Sequence, residues 1–316
     1  MLRDKELEDY KNNGYVAPIN VLSLKEAEEI KKEIEYIEKK WPNELIGLGR
    51  NNVHYISPKF DKVCHNPKIL DAVESIIGKD ILVGGTTLFI KDPDNKGFVS
   101  WHQDAKYIGF EPYNWVTAWL AITDANEENG CMRMWSGSHK EKIKDHKDTY
   151  DKNNLLTRGQ TVQNVPIERT VPNILKAGQL SLHHPMIVHG SGPNKSNLLT
   201  RGQTVQNVPI EKTTPNILKA GQLSLHHPMI VHGSGPNKSN IRRIGFVIQS
   251  YIGTNVDQVL GKIFVQQARG IDTFKFHEHA KRPVELMNKN DMIFKNKANE
   301  ELSKIFYKDA KKIGKY

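Results

Sequence analysis

The chain has 316 residues, 38% hydrophobic and 26% charged, the proportions of a globular protein with a core to bury. Two cysteines, Cys64 and Cys131, exclude a disulfide framework and a cysteine-rich zinc site and point to a reducing compartment. The net charge of +9 would suit anionic partners, but the excess lies in lysine-rich helical segments and the tail KDAKKIGKY, which read as solvated faces, so no nucleic-acid partner is expected.

The opening MLRDKELEDYKNN is charged where a signal peptide needs an apolar run, and no apolar stretch reaches ~18 residues, so a cytoplasmic protein without a membrane span is expected. Ser23-Leu-Lys-Glu26 forms a capping box ahead of Ala27, Ile30, Ile34, Ile37 and Trp41, which predicts an amphipathic helix over 24–41. Asn66-Pro67 opens a second helix that ends at Gly78. From there the period changes to two. Short β-branched and aromatic runs at 81–90, 98–104, 116–123, 131–135 and 241–252, with QLSLHH and MIVHG between them, predict strands bounded by turns. The last stretch returns to a lysine-rich helix, placed at 291–316. Helices followed by strands suit a mainly β fold, a sandwich or open barrel with helices on one face, within a single domain over 1–290.

Residues 154–196 recur at 197–239 with two changes, Arg169 to Lys212 and Val171 to Thr214. Two near-identical copies are too few for a solenoid and read as a tandem duplication within one fold. Any functional residue in this segment therefore exists twice.

His102-Gln103-Asp104 closes a predicted strand, where residues i and i+2 share a face, so imidazole and carboxylate can converge on one point. A second histidine would complete the facial triad suited to non-haem Fe(II). If MIVHGSGPNKSNIRRIGF is a hairpin centred between Asn237 and Lys238, His232 lies opposite Arg243 on one face and Arg242 points to the other. A guanidinium beside a metal suits a cosubstrate that chelates at one end and offers a carboxylate at the other.

WHQD, VTAWLAITDANEENGCMRMWSGSHK, NLLTRGQ, LSLHHPMIVHGSGPN and RRIGF, in this order, resemble the motif string of the phytanoyl-CoA dioxygenase family of Fe(II)/2-oxoglutarate oxygenases. The resemblance spans roughly residues 10–280. It implies a double-stranded β-helix of jelly-roll or cupin type, with iron held by His102, Asp104 and the histidine of the HGSGPN strand. It also implies that Gln103, Trp119 and the serine after that histidine meet 2-oxoglutarate, with Arg243 on its distal carboxylate. Only the second copy runs directly into IRRIGF, so His232 and Ser234 are expected at the site, with His189 and Ser191 as the alternative.

Lys106, Tyr107 and Arg158 are candidates for substrate contact. His183-His184 and their repeats His226-His227 are expected to line the pocket or to bond within the sheet. The resemblance further implies hydroxylation of a small molecule with O2, succinate and CO2 being the co-products. In related halogenases a small residue stands where Asp104 stands here. Two other readings remain at this point: a zinc hydrolase using the same three ligands, and a binding protein whose spare copy pairs between chains as a strand-swapped dimer.

Overall fold

The computed structural model describes residues 1–93, 97–127, 129–190 and 242–310, together with the backbone alone of 225–226 and 229–234. Ser23 caps the helix Leu24–Lys40: its hydroxyl accepts from the Glu26 N–H, and the Glu26 carboxylate accepts from the Ser23 N–H. Asn66 caps Pro67–Ile77 through the Lys68 N–H, and Gly78, at φ 90°, ends it in a backbone conformation that disfavours a side chain. Both helices are those expected. The helices Asp4–Asn13 and Pro58–Cys64 are additions; the first is too polar to show a period, burying only Tyr10.

Most of the described strands form two sheets, and two short ribbons pair Phe110–Glu111 with Asp257–Gln258 and His146–Asp148 with Gln160–Val162. The larger runs in the order Leu225–His226, Tyr15–Asn20, Gln179–His183, Trp115–Ala121, Arg243–Gly253, Ile81–Lys91, Phe264–Arg269 and Glu278–His279. The smaller runs Ile187–Gly190, Val99–His102, Met229–Ser234, Met132–Trp135 and Thr170–Asn173. The molecule is mainly β, two packed sheets with the helices Leu24–Lys40 and Pro67–Ile77 on the outer face of the larger one.

Alternation along the central strands explains the layering. Val116, Ala118 and Leu120 turn outward and join Ile244, Phe246 and Ile248 in the core beneath the helices, where Ile30, Ile34, Ile37, Ile69 and Val73 meet them. Trp119, Ala121 and Val247 turn inward and pack on Trp101, Met132, Met134 and Val188 of the smaller sheet. Because both faces are covered, Trp115–Ala121 is buried at every position.

The hairpin expected to place His232 opposite Arg243 does not form. Met229–Ser234 belongs to the smaller sheet, whereas Arg243 pairs with Lys91 in the larger one. The chain crosses between sheets, so the two residues are not cross-strand neighbours; the proposed turn at Asn237 and Lys238 lies outside the described residues. Alternation within the strand still holds. Arg242 turns to the helical side, where it bonds both Glu38 oxygens at 2.8 and 2.9 Å and Asp92 at 2.6 Å, while Arg243 turns inward.

The C-terminal helix begins at Lys289 and runs to Phe306. Ile305 joins a core cluster with Leu82, Ile108 and Trp115, and Asn299 bonds Asn52 and the Leu48 carbonyl. It is packed into the domain that the sequence reading ended at residue 290. Among the described residues, no helix is long and apolar enough to cross a membrane.

Candidate metal centre and cosubstrate pocket

Val99–His102 ends the strand that carries the first ligand, and the chain turns at Asp104 into a short helix, Ala105–Ile108. Beside it runs Ile187–Gly190, with His189 in register with His102. Gly190 permits this approach, since a Cβ there would strike the backbone and ring of Trp101. The two imidazoles stack at a tilt, with centroids 3.8 Å apart.

Asp104 Oδ1 lies 3.3 Å from His102 Nε2 and 3.6 Å from His189 Nε2. One ligand atom from each of these three residues lies within 4.8 Å of the others. Each imidazole is set by the same device. The Nδ1–H of His102 donates to the Ser100 carbonyl at 2.9 Å, and that of His189 donates to the Ile187 carbonyl at 3.0 Å. This tautomer leaves both Nε2 lone pairs facing Asp104, the arrangement that ligation requires.

The other carboxylate oxygen, Oδ2, accepts from His183 Nε2 at 3.2 Å and lies 3.0 Å from Thr117 Oγ1. Burial pushes the Asp104 carboxyl up, but the flanking His102 and His183 imidazoles outweigh it and hold the group well below the usual carboxylate range. Burial pulls His183 down despite the neighbouring carboxylate. At neutral pH the centre therefore offers an ionised carboxylate.

Behind these ligands a cavity is lined by Trp119, Phe89, Val99, Met132, Leu156, Val247, Gln249, Thr117, His183 and Arg243. Arg243 is 1% exposed, and burial pulls its guanidinium down to about 10, still charged at neutral pH. It sits over the Trp119 ring, 5.5 Å from the centroid. Its Nε and Nη2 have no hydrogen-bond partner among the described residues. A buried cation with two unmet donors is costly unless an anion joins it, and a dicarboxylate bridging from the metal would supply one. Gly245 makes room for this arrangement: a Cβ there would fall on the Trp119 indole.

Other expected residues lie elsewhere. Gln103, expected at 2-oxoglutarate, spans the Met186 carbonyl at 2.6 Å and the Lys144 N–H at 2.7 Å and does not line the cavity. Strand alternation turns it away from the metal. Arg158 is held by Asp148 Oδ2, at 2.6 and 2.9 Å, and donates to the Lys308 carbonyl at 3.0 Å, so it ties the C-terminal helix to the loop beside the cavity. Tyr107 stacks edge-on against His146, and Lys106 is exposed; neither lines the cavity. His184 points away and accepts from the Met186 N–H.

The backbone of Met229–Ser234 is also in register with His102, through His232. The side chains of His232 and Ser234, and all of Ser191, lie outside the described residues. Of the two candidate histidines, His189 is the one whose imidazole is seen at Asp104.

Sequence reasoning missed Thr117, Leu156 and Gln249 as cavity residues. Thr117 was within reach, since it lies two residues before Trp119 on the same face.

Two facing sheets, a His-x-Asp with a second histidine, and a buried guanidinium in the adjoining cavity with two nitrogens unpartnered among the described residues define the class of non-haem iron, 2-oxoglutarate-dependent oxygenases. The family model described as phytanoyl-CoA dioxygenase (PhyH) matches residues 10–203 and 199–245, and the chain belongs to this family. It is 25% identical over 205 residues to a probable alpha-ketoglutarate-dependent hypophosphite dioxygenase of Stutzerimonas stutzeri, covering 59% of this chain and 71% of the relative. It is 30% identical over 138 residues to the peroxisomal phytanoyl-CoA dioxygenase of Homo sapiens, covering 42% of this chain and 41% of the relative. Among solved structures, the non-heme monooxygenase ThoJ in its apo form aligns over 95% of this chain and 96% of its own, at a TM-score of 0.72 and 26% identity. CytC3, solved with Fe(II) and alpha-ketoglutarate, is 17% identical at a TM-score of 0.58, a likeness of fold.

Proposed function

We propose that the protein hydroxylates a C–H bond of a small anionic metabolite, consuming 2-oxoglutarate and O2 and releasing succinate and CO2. The observation that carries this reading is the convergence of three ligand groups beside a buried guanidinium with two donors unmet among the described residues.

His102, Asp104 and His189 would hold Fe(II), and Arg243 would grip the distal carboxylate of 2-oxoglutarate, with Trp119 forming the wall beside it. When bound, the iron and 2-oxoglutarate together supply the oxidising power for the C–H step. The protein contributes orientation and exclusion of water. Phe89, Val99, Met132, Leu156 and Val247 give the cavity apolar walls, and Gln249 also lines it. The serine following the metal-binding histidine, Ser191 or Ser234, is assigned to 2-oxoglutarate by the family resemblance.

The anionic character of the substrate is argued from the surplus of basic residues, +9 over the chain. The relatives' names offer two kinds of anion to try, an acyl-CoA thioester and hypophosphite. Purified protein loaded with Fe(II) and 2-oxoglutarate is to be screened against acyl-CoA thioesters, amino-acid-like solutes and small phosphorus oxyanions, with succinate as the readout. Substrate-dependent succinate release is expected. Turnover with zinc alone and no 2-oxoglutarate would instead establish the hydrolase reading, in which Arg243 has no task.

The repeat yields a second expected result. Deleting residues 197–239 joins HGSGPNKS directly to NIRRIGF and leaves His189, Leu156 and Arg243 in place. The shortened chain is expected to retain metal binding and turnover, measured by succinate release against the full chain. Loss of both in a folded deletion variant would assign the working ligand to the second copy.

A further inference from the structure

Resting on the iron reading above, we propose that Thr117 and His183 are positioning residues that keep Asp104 a one-oxygen ligand. A facial triad would leave its remaining positions open to cosubstrate and O2 only if its carboxylate occupied a single one. A carboxylate with both oxygens unengaged can chelate through both, as it does in many cation sites.

The structure divides the two oxygens of Asp104 between different tasks. Oδ1 faces His102 Nε2 and His189 Nε2 at 3.3 and 3.6 Å. Oδ2 is turned from them to His183 Nε2 at 3.2 Å and Thr117 Oγ1 at 3.0 Å. His183 and Thr117 are directly opposed across neighbouring strands of the larger sheet, and both are buried. His102 and His189 come from the smaller sheet. The carboxylate is thus pinned between the layers: the packing of sheet on sheet sets which oxygen reaches the metal.

Thr117 Oγ1 also lies 2.9 Å from the Gln249 carbonyl. A hydroxyl has one proton for these two acceptors, so Thr117 holds Asp104 Oδ2 only with its proton turned to the carboxylate, the charged and stronger acceptor of the two. Partners of this kind orient a ligand, and their loss costs about 10–100-fold in metal affinity.

The test uses Co(II), titrated calorimetrically into the metal-free full chain with and without 2-oxoglutarate, alongside the visible Co(II) spectrum. Thr117→Val keeps the side chain's shape and removes the hydroxyl; Thr117→Ser restores it. His183→Phe is made together with His226→Phe, so that the repeat cannot supply a substitute. Thr117→Val is expected to bind Co(II) about 10-fold or more weakly, to lose most of the spectral response to 2-oxoglutarate, and to melt as the parent does when metal-free. Thr117→Ser should recover both properties, and the double phenylalanine variant should resemble Thr117→Val. Parental affinity and spectrum in Thr117→Val would overturn the positioning role alone. Co(II) binding unaffected by Asp104→Ala would overturn the metal centre on which it rests.

Discussion

Arg243→Leu is expected to make the metal-free protein melt higher while crippling its use of 2-oxoglutarate. The guanidinium is almost completely buried, and two of its nitrogens have no partner among the described residues. Without an anion it costs desolvation and returns little, and replacing buried ionic groups with apolar side chains is often neutral or stabilising, by up to about 1–4 kcal/mol. With the cosubstrate bound, the same group forms a buried charge pair. Truncating one member of such a pair costs about 2–5 kcal/mol, so the Kd for 2-oxoglutarate should rise about 30-fold or more. Differential scanning calorimetry and a 2-oxoglutarate titration read the two effects separately. A variant less stable than the parent, with unchanged cosubstrate affinity, would make Arg243 a structural residue.

Asp104→Ala is expected to abolish turnover. The substitution removes the carboxylate on which His102, His183 and His189 converge, and leaves imidazoles facing one another with no anion between them. Fe(II) affinity should fall by more than about 100-fold, the upper end of what losing a supporting contact costs, because here a ligand itself is lost. Metal content after dialysis and succinate release measure this directly. Retained iron and normal succinate yield would remove Asp104 from the centre.

Much of this was legible in the sequence because period-two alternation reports faces directly. The expected opposition of Arg242 and Arg243 is borne out: one reaches Glu38 on the helical side, the other enters the cavity. The capping residues Ser23 and Asn66 gave two helix starts to the residue. Alternation does not report which sheet a strand joins, so it cannot separate a His232–Arg243 hairpin from the crossing between layers that the chain makes. The short strand Thr170–Asn173 and the helix Asp4–Asn13 escaped notice because one is four residues long with a proline and the other lacks an apolar stripe. The sequence repeat offered two equivalent histidines, and spacing alone could not separate them. Thr117 was overlooked because a threonine in a buried strand is ordinary until the carboxylate beside it is located.

The claim at the centre of this account is that one ferrous ion and one 2-oxoglutarate occupy a joint site on each chain. An anaerobic titration of Fe(II) and 2-oxoglutarate, followed by the visible charge-transfer absorption that such a complex develops, tests it most directly. The account predicts saturation at one Fe(II) and one 2-oxoglutarate per chain, with the band absent in His102→Ala and Asp104→Ala. Development of the same band in those variants, or its absence in the parent protein, would contradict it.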